Sequence, residues 1–105
     1  MFNTTFILQH MAQRYIILIR LRDQGIRNIK DIARPAEAAK SEAERIGGKF
    51  TIYWTFGKYD ALGILKAPSD EAAMEFELKL GNLGNVRTTT LRAVTEEEIQ
   101  ASLTR

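Results

Sequence analysis

Residues 15–21, YIILIRL, place Tyr15, Ile17, Ile19 and Leu21 on one alternating face and Ile16 and Leu18 on the other. A run that is apolar on both faces reads as a central strand covered on both sides. The polar stretch 22–34 that follows, with Gly25, Asn28 and Asp31, predicts a loop with one helical turn around Ile29. Pro35 suits the first position of a helix, and Ala36, Ala39, Ala43 and Ile46 form its apolar stripe before a Gly47-Gly48 stop. Small residues on that stripe imply close packing on a sheet. Period two returns over residues 49–56, with Phe50, Ile52, Trp54 and Phe56 on a core face and Thr51, Tyr53 and Thr55 on a semi-polar one.

After a turn at Gly57-Lys58, residues 60–67 predict a third strand, ended by Pro68-Ser69, with Ser69 as a helix N-cap. A second helix is expected over residues 70–83, its stripe formed by Ala73, Phe76, Leu80 and Leu83 and its end marked by Gly81 and Gly84. Residues 85–94 predict a fourth strand, and Thr95 with Glu98 is a capping box opening a short terminal helix that carries Ile99 and Leu103.

The order is β-α-β-β-α-β, an α+β ferredoxin-like arrangement: a four-stranded antiparallel sheet with two helices on one face. The organisation predicted is an N-terminal extension over 1–14, the domain over 15–95 and a terminal helix over 96–105. Residues 1–10 are expected to be dispensable for the core and to lie against a neighbouring chain. Because the first strand is apolar on both faces and the helices cover only one, a second sheet is expected on the other, giving a dimeric α/β barrel.

Composition sharpens this picture at few points. A chain of 105 residues buries one small core, so further apolar area points to a partner subunit, a dimer or higher even oligomer. Fifteen Lys and Arg against thirteen Asp and Glu are scattered, and no nucleic-acid partner is expected. The absence of cysteine excludes disulfides and thiolate chemistry, and no apolar run reaches the ~18 residues of a membrane span. A cytoplasmic location with no membrane partner is the resulting expectation.

Candidate chemistry is sparse. His10 is the lone histidine and has no triad or metal-ligand spacing around it. Glu37, Glu42 and Glu44, and the run Glu96 to Glu98, read as solvated helix faces, so no metal site is expected. The glycine-rich GNLGN at 81–85 follows a helix and enters a strand, the reverse of a phosphate-binding loop, so it reads as a helix end and no cofactor is expected. The informative segment is Gly57-Lys58-Tyr59-Asp60: glycine for the turn conformation, an amphipathic tyrosine, and a carboxylate able to accept backbone amides. Either turn structure or ligand binding accounts for it.

The stretches YWTFGKYDALGILKAPSDEAA and LGNLGNVRTTTLRAVTEEE, taken together and in order, resemble the GYD domain family, named for its Gly-x-Tyr-Asp signature, from about Tyr15 to Glu98. The resemblance implies a dimeric α/β-barrel protein of ferredoxin-like topology. The Gly57-x-Tyr59-Asp60 turn and the threonines after Val86 are also similar to the effector-binding domain of leucine-responsive and asparagine-related transcription regulators. With no helix-turn-helix segment beside it, the comparison implies a stand-alone ligand-binding module. The chain departs from the usual GYD pattern at Lys58, Lys66 and Thr89.

The function expected is therefore a homo-oligomeric small-molecule-binding domain for a small anionic or aromatic ligand. Its site would lie near Gly57, Tyr59 and Asp60 and a polar strand face of Tyr53, Thr55, Thr88, Thr90 and Arg92, with Arg92 pairing an anionic group. A cofactor-free oxygenase or isomerase of the dimeric-barrel type, and an assembly protein without a small ligand, are the alternatives.

Overall fold

The computed structural model describes residues 13–27, 29–82 and 86–104. The expected N-terminal extension up to residue 12, with His10, and the positions of Leu83 and Gly84 lie outside them. In chain order the elements are β1 (Gln13–Leu21), α1 (Asp23–Arg27), a 3-10 turn (Ile29–Asp31), α2 (Ala33–Arg45), β2 (Lys49–Trp54), β3 (Ala61–Ala67), α3 (Asp70–Asn82), β4 (Val86–Ala93) and α4 (Glu96–Leu103). The polar stretch after β1, expected as a loop with one turn, thus contains both a short helix and a 3-10 turn. The strands form one antiparallel sheet in the order β2-β3-β1-β4, the ferredoxin-like topology, with β1 central as its double apolar pattern demands.

Register assigns every strand residue to a face. Tyr15, Ile17 and Ile19 of β1, Ala61, Gly63, Leu65 and Ala67 of β3, and Phe50 of β2 are buried beneath the helices. Against them pack Ala39 and Ala43 of α2 and Ala73, Phe76 and Leu80 of α3. The opposite face carries Ile16, Leu18, Leu62 and Ile64 half-buried and Leu91 49% exposed, so within one chain it has no cover. Trp54, on the core face of β2, is 51% exposed, and Phe56, expected beside it, lies past the strand and is fully exposed. A side chain there has left the sheet and no longer has a helix above it.

The helix ends follow local chemistry. Helix α2 starts two residues before Pro35, which the first turn tolerates because its N–H has no intrahelical partner to lose. It stops at Gly47, which takes φ 83°; Gly48 N donates to Ala43 O at 2.8 Å and Gly47 N to Glu44 O at 3.0 Å, the paired bonds of a Schellman end. Helix α3 is capped by Ser69, whose hydroxyl accepts from Ala72 N at 3.1 Å, and it runs through Gly81, expected as its breaker, to Asn82. At α4 the Thr95–Glu98 capping box is complete, and Glu98 also takes Arg14 at 3.2 Å, tying the terminal helix to the start of β1.

Between α2 and α3 the solvent side is closed by ions. Glu42 receives Lys79 at 3.1 Å and Arg45 at 2.6 Å, and Arg45 also reaches Glu75. Hydrogen bonding from Arg45, followed by that from Lys79, holds the Glu42 carboxyl down to about 2. None of the helices among the described residues is long and apolar enough to cross a membrane.

Gly63 sits where the edge of the Phe50 ring meets β3, and a Cβ there would fall inside the van der Waals radius of that ring. The ring has little room to retreat, because it packs at a tilt against Phe76 with centroids 5.0 Å apart. Gly63→Ala is therefore expected to lower stability by about 1–3 kcal/mol in urea denaturation, and Phe50→Leu in the same chain should return part of that loss. Wild-type stability in the single variant would contradict this packing.

Candidate functional site

The turn that joins β2 to β3 is built around Asp60. Its backbone N–H donates to Ile19 O at 2.9 Å, its carbonyl accepts from Thr55 N at 3.0 Å, and its carboxylate Oδ2 accepts from Leu21 N at 2.8 Å. Backbone pairing between β1 and β3 ends at Ile19 opposite Ala61, whereas pairing between β1 and β4 continues to Leu21 opposite Val86. Asp60 thus uses its side chain to satisfy an amide that β3 has left behind. Thr55 closes the turn from its other side, its Oγ1 donating to Tyr59 O at 2.7 Å. Gly57 adopts φ 110°, a region that side chains other than glycine occupy at a cost. Lys58 lies 5.7 Å from the centre of the half-buried Tyr59 ring.

The overhang of β1 past β3 opens a polar cleft of about 490 Å³ bounded by Arg20, Arg22, Arg87 and Lys58, with Asp23 and Asp60 as its carboxylates. Arg20 and Arg87 are directly opposite each other on neighbouring strands. Among the described residues none of these four cations pairs with a carboxylate. Two like charges placed opposite on adjacent strands repel. A concave site with surplus cations beside an exposed turn can hold an anion through charge-assisted hydrogen bonds.

The structure brings together Thr55, Gly57, Tyr59 and Asp60, and separates them from the rest of the expected set. Tyr53 is 55% exposed on the face without helices. Thr88, Thr90 and Arg92 are on the opposite face, because they share register with Ile19, Ile17 and Tyr15. Glu77 of α3 accepts from Thr88 at 3.3 Å and from Thr90, so those hydroxyls anchor a helix and do not line a cleft with Tyr53. Arg92 lies 3.8 Å from Asp70, the carboxylate that also accepts the Tyr15 hydroxyl. Burial foremost, then the bond to Asp70, pushes the Tyr15 phenol above its ordinary value, and Arg92 pulls the other way. Among the described residues no three acids or histidines gather as metal ligands.

Arg20, Arg22 and Arg87 were invisible as a group in the sequence, where 67 positions separate the first from the last. The usable signal was the register: Arg20 alternates with Ile16 and Leu18 on β1, Arg87 with Thr89 on β4, and only strand pairing shows that they meet.

Because Asp60 is exposed and its loss would free one amide at a strand end, Asp60→Ala is expected to cost about 1 kcal/mol in denaturant melts. Gly57→Ala should cost about 1–2 kcal/mol through backbone strain alone, since open space surrounds its Cβ. A variant of Asp60 with unchanged stability would show that the clamp carries no load.

Comparison with known proteins agrees with this architecture. No curated protein matches the sequence. Among solved structures, the crystal structure of MtbAldR superposes with a TM-score of 0.61 at 15% identity, covering 86% of this chain and 58% of that one. At that identity the likeness is one of fold, and the chain spans little more than half the length of the protein it resembles. The family model for the GYD domain matches residues 15–103, which include both the Asp60 turn and α4. The chain belongs to the GYD domain family.

Proposed function

We propose that this protein is a homo-oligomeric ligand-binding domain whose site is the cationic cleft at the Gly57–Asp60 turn and whose ligand is a small molecule bearing an anionic group. One observation carries this reading: Arg20, Arg22, Lys58 and Arg87 surround the turn without carboxylate partners among the described residues. In this reading the anion-binding role expected of Arg92 passes to Arg20 and Arg87, because Arg92 already faces Asp70. Asp60 positions the site by holding Leu21, and the Tyr59 ring lies behind Lys58 at the edge of the cleft.

Assembly belongs to the same proposal. Ile16, Leu18, Leu62, Ile64 and Leu91 form an apolar band on the sheet face that the helices leave open. A flat sheet buries such a band best against another sheet about 10 Å away, and a second copy of this chain supplies one. Light scattering after size exclusion should give a dimer or higher even oligomer at micromolar concentration, and Leu18→Lys should shift it toward monomer. A wild-type monomer would overturn the assembly.

For the ligand, a calorimetric and thermal-shift screen of organic phosphates, dicarboxylates and amino acids against uncharged analogues is expected to yield anionic hits only. Arg22→Gln and Lys58→Gln should each weaken those hits about 10-fold, as loss of one charge-assisted bond implies. Hits that bind equally well to both variants would move the site elsewhere.

A further inference from the structure

The arrangement of Arg20 and Arg87 differs from that of the other two cations in the cleft, because their Cα atoms are paired across β1 and β4. Directly opposite residues on antiparallel strands have Cα atoms about 4.5–5.5 Å apart, so two guanidinium groups are held on one sheet face at the same level. The two sit at the end of the ladder, where β1 has lost β3 and is paired with β4 alone. β4 is an edge strand with no further neighbour in the sheet. Any repulsion between the two arginines therefore acts on the least supported stretch of pairing.

Resting on the reading of the cleft as an anion site, we infer that the ligand group is a compact dianion, a phosphate group or a paired dicarboxylate, which bridges Arg20 and Arg87 and thereby locks β4 onto β1. Each guanidinium presents a planar fork of N–H donors that one carboxylate engages through two parallel bonds. A group with a single carboxylate serves one fork and leaves the other unmatched. A phosphate, with three or more acceptor oxygens and close to two negative charges, serves both. The bound dianion turns the Arg20–Arg87 contact from a repulsive pair into a bridged one. Ligand binding is then coupled to strand pairing at the sheet edge, with Arg20 and Arg87 as binding residues and Asp60 holding the neighbouring amide in place.

A double-mutant cycle on the full chain tests this through the sign of a coupling. Wild type, Arg20→Gln, Arg87→Gln and the double variant are melted at low ionic strength without multivalent anions, then with inorganic phosphate, malonate or acetate, sodium chloride matching the ionic strength. Without a dianion each single variant should melt a few degrees above wild type, with the second substitution adding little, because either one removes the repulsion. With phosphate or malonate the wild type should gain the most and the order should reverse, while acetate and chloride leave it unchanged. Titration calorimetry of phosphate and malonate into the same four proteins should show the affinity of the bridging probe falling at least 10-fold in either single variant and little further in the double. A response to phosphate alone or to malonate alone identifies the group and supports the bridge. Dianion binding with additive losses at the two positions, or a reversal produced equally by acetate or chloride, would overturn the bridge and leave the cleft an anion site. Absence of binding by any anion would overturn the cleft reading itself, and the bridge with it.

Discussion

Strand β1 is paired along both edges, and the rest of the molecule is arranged by that fact. β3 follows it from Gln13 to Ile19 and β4 from Arg14 to Leu21, so the six residues from Arg14 to Ile19 are held on both sides and the last two on one. The doubly held stretch contributes Tyr15, Ile17 and Ile19 to the core beneath the helices. The singly held end exposes an amide at Leu21, and it is the carboxylate of Asp60 that meets it. The core and the candidate site are thus two regions of one strand, distinguished by whether β3 is still beside it.

The two ends of the sheet treat charge differently. At the start of β1, Asp70 and Arg92 offset each other beside the Tyr15 hydroxyl at the first turn of α3, and Arg14 meets Glu98 of α4. Between the helices Glu42, Arg45, Glu75 and Lys79 do the same on the solvent side. At the other end of β1 four cations stand around a cleft with no such match among the described residues. Gathering these like charges around one cleft costs some stability there. That loss is tolerable because the arginines are solvated, and useful once an anion is present.

Much of this was legible in the residues. The apolar faces of YIILIRL required a central strand, the Gly47-Gly48 pair ended α2 at the expected place, and Thr95 with Glu98 formed the anticipated capping box. These are short-range signals, in which periodicity, a left-handed glycine or a side chain three residues away decides the outcome. Gly81 shows the limit of such signals, since a glycine expected to stop α3 is carried inside it by the packing of Leu80 and Phe76 on the sheet.

The sequence by itself determined the β-α-β-β-α-β order of the main elements, the identity of the central strand and the turn centred on Gly57 to Asp60. Tertiary structure alone decided which strand faces look at one another and where pairing stops. Alternation divides β4 into Thr88, Thr90 and Arg92 on one side and Arg87 and Thr89 on the other, but a period of two carries no absolute direction. Register against Tyr15, Ile17 and Ile19 turns the first set toward α3, where Glu77 and Asp70 take it up, and sets Arg87 beside Arg20. Whether a charge is paired or left over depends on which distant residue lies across from it, and that is a property of the assembled sheet.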